Sequence, residues 1–117
     1  MDKYIEKFIK LCKDVTFEPK KNQTKLDVIK HNSAIKKLFK LCDEIGKDKE
    51  QAKKIYTELI NIKDETIQLI AASHCLKLDI YIDRAQKVLN AIIQNSQSPF
   101  QKFNAELLLE AWQEGKL

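Results

Sequence analysis

The sequence predicts an all-α fold of short, closely connected helices, on three observations. Only two Gly and two Pro occur in 117 residues, while Lys, Leu, Ile, Glu and Ala are abundant, which is the composition of helices with tight connections. Apolar residues recur at three- and four-residue spacing along most of the chain. Moving Asp64–Leu78, DETIQLIAASHCLKL, forward by 33 residues lands on a second copy of its pattern. Ile67 falls on Phe100, Ile70 on Phe103, Ala72 on Ala105, Cys75 on Leu108 and Leu76 on Leu109; in the preceding helix, Ala52 falls on Ala85, Ile55 on Val88, Tyr56 on Leu89, Leu59 on Ile92 and Ile60 on Ile93. Lys102 and Trp112, opposite Leu69 and Asp79, break the register.

The length suits a single domain spanning 1–117, able to bury a core without metal or disulfide support. Its first helix is expected over Asp2–Val15, with Ile5, Phe8, Ile9, Cys12 and Val15 on one face and lysines on the other. A polar stretch containing Pro19 interrupts it. A second helix opens near Thr24, with Asp27 at capping-box distance, and turns Leu26, Ile29, Ile35, Leu38, Phe39, Cys42 and Ile45 inward. His31, Asn32 and Ser33 favour a bend, and Gly46 is expected as a left-handed stop. Asp48 caps the third helix, ending near Ile60, with Gln51 at the reciprocal position, and Asp64 caps the fourth.

The fourth helix, with Ala71 and Ala72 inside a run of large aliphatics, reads as central and buried on nearly every side. The fifth, Ile80–Gln94, places Ala85, Val88, Leu89, Ile92 and Ile93 inward and Asp83, Arg84, Lys87 and Asn90 outward. The sixth has Ser98 as N-cap, Pro99 as first helical residue, Gln101 reaching back to the cap, Trp112 as a terminal core plug and Gly115 as stop. About six helices, paired by connections of two to four residues and repeating every 33, make a short right-handed α-solenoid of HEAT-like hairpins.

Charge is divided between the halves. Residues 1–54 carry 15 Lys against 9 acids, a net +6, and residues 55–117 carry 6 cations against 8 acids, a net −2. A single Arg leaves little equipment for bidentate phosphate or base-edge readout. No signal-peptide core or bilayer-length apolar run is present, so a cytoplasmic protein without membrane contact is expected. Cys12, Cys42 and Cys75 are odd in number, lack CxxC spacing and lie on apolar faces, and so read as reduced core thiols.

No catalytic motif, metal-ligand set or cofactor loop is found, so no enzymatic activity, metal or cofactor is expected. His31 and His74 lie 43 residues apart, and His74 diverges by about 100° from its neighbour Cys75 on a helix. Glu106, Glu110 and Glu114 stand out at i, i+4, i+8 on the last helix. Like charges so spaced cost about 0.2–0.5 kcal/mol per pair, which solvent tolerates or a cationic partner exploits. At the repeat offset Ser73 matches Glu106, Lys77 matches Glu110 and Lys40 matches Ser73. The even-numbered helices would then offer one surface graded from basic, at Lys36 and Lys40, through Lys77 to acidic, and those six residues are the candidate partner-binding set.

KHNSAIKKL, DETIQLIAASHCLKL, IDRAQKVLNAI and above all the ending FNAELLLEAWQEGKL resemble a small bacterial HEAT-like family catalogued as a domain of unknown function, number 2019. The resemblance covers His31–Leu117. HEAT helices commonly carry Arg after the inward aliphatic, where this chain has Gln68, so an Asp to Arg ladder between repeats is not implied. The resemblance implies an immunity protein, one that binds and neutralises a toxin domain, such as a nuclease, encoded by an adjacent gene. The positive net charge runs against the acidic character usual in inhibitors of basic nucleases. Two alternatives are a nucleic-acid-binding HEAT-like protein, which would be retained on a polyanion in a salt-dependent way, and a general interaction scaffold.

Overall fold

The computed structural model describes residues 2–15 and 25–117, and these form helices without strands. Six helices lie among the described residues: α1 Lys3–Cys12, α2 Lys25–Gly46, α3 Lys49–Ile60, α4 Glu65–Leu78, α5 Ile82–Asn95 and α6 Pro99–Gln113. The all-α class and the element order agree with the sequence. Contacts divide the chain into two compact units, Met1–Ile55 and Tyr56–Leu117.

In the first unit, α1 begins where the Asp2 carboxylate accepts from the Tyr4 amide at 2.7 Å, and packs against α2. Ile5, Phe8, Cys12 and Val15 are buried as the periodicity requires, although the helix itself ends at Cys12. The expected Thr24 cap and the Pro19 break lie outside the described residues. α2 then runs without interruption through His31, Asn32 and Ser33. Its buried stripe is Ala34, Leu38, Leu41, Cys42 and Ile45, at i, i+4, i+7, i+8 and i+11. Leu26, Ile29 and Phe39, expected inward, are exposed. Leu41 and Phe39 both fit an apolar helical spacing, and packing selects the stripe that contains Leu41. Gly46 is the last helical residue of α2, and positive φ among the described glycines occurs at Gly115 instead. Asp48 caps α3 as expected, accepting from the amides of Glu50 at 3.0 Å and Gln51 at 3.3 Å.

The second unit is built on α4, which packs against both α5 and α6, as α5 does against α6. The Asp64 carboxylate accepts from the Ile67 amide at 3.0 Å and starts the helix. Ile67, Leu69, Ile70, Ala71, Ala72, His74, Cys75 and Leu76 are all buried. Alanines at the middle of such a helix let neighbours approach on several sides, which is the burial that the sequence predicts. α4 ends in paired bonds from the amides of Asp79 to Leu76 and of Ile80 to Cys75, with Asp79 left-handed at φ 60° and Ile80 buried. α6 closes the same way, through Gly115 to Trp112 and Lys116 to Ala111, with Gly115 at φ 72°.

α5 starts two residues later than expected, because Tyr81 adopts φ 48° and stands outside the helix. An aromatic residue in the left-handed region costs about 1–2 kcal/mol. The Thr57 hydroxyl, donating to the Tyr81 phenol oxygen at 3.0 Å, offsets part of that cost. Ala85, Leu89 and Ile92 face the core at i, i+4 and i+7, while Val88 and Ile93 are half-buried.

Candidate partner-binding face

α6 starts as its sequence prescribes: Ser98 Oγ accepts from the Gln101 amide at 3.2 Å and Pro99 is the first helical residue. The Gln101 side chain does not reach back to the cap. It is buried, and its Nε2 donates to Thr66 Oγ1 on α4 at 3.1 Å. Ser96 extends this polar seam. Its hydroxyl donates to the Glu65 carboxylate, and its Oγ accepts from the Ser98 amide at 3.1 Å. The start of α6 is therefore fixed to the start of α4 by side-chain hydrogen bonds, and Ala105, fully buried, lies along the inward side one turn further on.

With that side turned inward, the 100° step per residue sends Phe103, Glu106, Leu107 and Glu110 to the opposite side of α6. Phe100, Phe103 and Leu107 are 45%, 57% and 46% exposed, although their counterparts Ile67, Ile70 and His74 on α4 are at most 7% exposed. The 33-residue match therefore carries apolar character from α4 to α6, but not burial. Trp112, expected as a terminal core plug, is half-buried.

Glu106, Glu110 and Glu114 are solvent-facing, as are Lys77, Lys36 and Lys40. The three acids differ among themselves. Glu106 and Glu110 belong to the helix, whereas Glu114 is its C-cap residue, at the negative end of the helix dipole, and pairs with Lys116 at 3.1 Å. Lys77 shares the second unit with the acids, while Lys36 and Lys40 belong to the first. What α6 brings together is a mixed stripe, in which exposed Phe103 and Leu107 alternate along the helix with exposed Glu106 and Glu110. The sequence offered one signal for it: these apolar positions are interleaved with acids, a pattern α4 lacks.

The other titratable candidates are structural. His74 is buried, its Nδ1 3.0 Å from the Tyr56 hydroxyl with the two rings edge to face. Burial first, and Lys77 second, push its pKa down to about 3, so the imidazole is neutral near pH 7. Cys12, Cys42 and Cys75 are all buried as thiols. A shallow hollow of about 330 Å³ in the first unit is lined by Asp2, Asp48, Glu50, Gln51, Lys54 and Ile55. The caps of α1 and α3 already employ two of its carboxylates. Among the described residues no three His, Cys, Asp or Glu side chains are grouped to hold a metal ion, and no helix is long and apolar enough to cross a membrane. Comparison with protein-family models, with curated proteins and with solved structures gives no match.

Proposed function

We propose that the protein is a protein-binding module of the immunity type, which occupies and neutralises a toxin domain encoded beside it, and that α6 is the face it presents. The HEAT-like hairpins act as a short solenoid that holds this face. The observation that carries the reading is the exposure of Phe103 and Leu107 alternating with exposed Glu106 and Glu110 along α6. Aromatic and aliphatic anchors supply the desolvated centre of an interface, and carboxylates around them select a cationic partner and speed its approach. A nuclease, with lysines and arginines along its substrate groove, has that chemistry.

The test is calorimetric titration of the adjacent gene's product with three folded variants. Glu106→Lys with Glu110→Lys should weaken binding by about 2–5 kcal/mol if the carboxylates are buried against cations, or slow association alone if they stand at the rim. Phe103→Ala should cost about 2 kcal/mol or more as an anchor. Lys36→Glu with Lys40→Glu is the control. Unchanged affinity in the first two variants removes α6 from the interface. A loss confined to the lysine variant moves the contact to α2 and favours binding of a polyanion.

A further inference from the structure

Exposed large apolar side chains concentrate on two helices. Leu26, Val28, Ile29 and Phe39 lie on α2; Phe100, Phe103 and Leu107 lie on α6. The charges beside them are of opposite sign. On α2, Lys25, Lys36 and Lys40 fall on the side of Ile29, at i−4, i+7 and i+11, and all three are exposed. On α6, Glu110 falls seven residues after Phe103, also exposed. We infer that these two faces are complementary and that one copy of the chain docks its α2 on the α6 of another, head to tail.

The spacing supports a single alignment. Ile29 to Lys36 and Phe103 to Glu110 are both seven residues, about 10.5 Å along a helix. With the two helices parallel, the apolar pair and the ion pair form together. The series is also one the chain already begins, because α4 lies against α6 across one 33-residue step. An α2 from a second copy would cover Phe100 and Phe103, just as Ile67 and Ile70, their counterparts, are covered within the chain. Because the two faces are different surfaces, such a contact is heterologous: it leaves one α2 face and one α6 face unfilled, and grows into rings or short chains. One helix against one helix buries a small area, so the association is weak and strengthens as salt is lowered.

The experiment is sedimentation velocity of the full chain alone, from micromolar to millimolar concentration, at low and high salt. The wild type should pass from monomer to larger species with concentration, and less so in high salt. Glu106→Lys with Glu110→Lys, and separately Lys36→Glu with Lys40→Glu, should each weaken self-association by more than about tenfold while helical content and melting temperature stay at the wild-type values. An equimolar mixture of the two variants should associate again, since each then offers the charge the other has lost. A wild type that stays monomeric throughout overturns the inference, as do variants that still self-associate singly or a mixture that does not recover. None of these results depends on the toxin partner, so a monomeric chain leaves partner binding standing.

Discussion

Helices α4 and α6 are two copies of one sequence pattern, and they differ in what lies against them. α4 has neighbours on nearly every side, so its Ile67, Ile70 and His74 are buried. In α6 the same three positions are Phe100, Phe103 and Leu107, exposed to between 45% and 57%. A large apolar residue in the first helix is a stability element, and its counterpart in the second is available for recognition. Sequence periodicity reports that a position is apolar; only a neighbouring element makes it core.

The sharpest way to break this contrast is truncation at matched positions. Ile70→Ala should destabilise the protein by about 2–5 kcal/mol, through lost transfer energy and the cavity left behind. Phe103→Ala should shift stability by no more than about 0.5 kcal/mol, as at other exposed sites. Urea unfolding monitored by circular dichroism measures both, and equal losses would mean that α6 is as buried as α4.

His74 sharpens the comparison with acid. Its folded pKa of about 3 lies below the unfolded value of 6.5, so the unfolded chain binds the proton first as pH falls. The stability His74 contributes is complete above about pH 6.5 and declines by about 1.4 kcal/mol per pH unit towards pH 3. Replacing it with the residue that α6 has at this position, His74→Leu, should remove that slope, at the cost of the hydrogen bond between His74 Nδ1 and the Tyr56 hydroxyl. Unfolding free energies at pH 7, 6, 5 and 4 check the slope; parallel declines in the two proteins would assign the acid sensitivity to other groups.

The smallest effect concerns the ends of the two helices, which close with the same pair of hydrogen bonds around different residues. Asp79→Gly should stabilise by about 0.5–1 kcal/mol, because it relieves a left-handed aspartate. Gly115→Ala should destabilise by about 1 kcal/mol for the reverse reason; its Cβ would meet nothing within 4 Å, so the cost lies in the backbone alone. Thermal melts resolve both, and opposite signs are the point of the pair.

What could be read from the sequence follows the range of the interaction. The caps at Asp48, Asp64 and Ser98 and the stop at Gly115 are contacts over two to five residues, and the sequence states their partners directly. The burial of α4 was also legible, because a helix apolar all round with alanines at its centre has no face suited to water. On α2, Leu38, Cys42 and Ile45 fit two overlapping stripes, one through Leu41 and one through Phe39, and the choice between them is made by packing. Gly46 carried a stop signal, yet α3 begins three residues later and the chain turns through a bond from the Lys47 amide to the Glu44 carbonyl. Glu106 and Glu110 were legible as an acidic stripe. The aromatic half of the same face was not legible as exposed, because the offset that reveals the repeat matches Phe100 and Phe103 to apolar residues of α4 and says nothing of what covers them.

The placing of the three thiols has a consequence for kinetics. Cys12 and Cys42 lie in the first compact unit and Cys75 in the second, all sealed from reagents in the folded chain. Alkylation must therefore wait for opening, and each sulfur acts as a clock for the fluctuation that uncovers it. If the two units open separately, the labels at Cys12 and Cys42 will accumulate at one rate and that at Cys75 at another; if the chain opens only as a whole, all three will follow a single exponential set by global unfolding. Mass spectrometry of native-state labelling thus reads the cooperativity of this fold without introducing a single foreign residue.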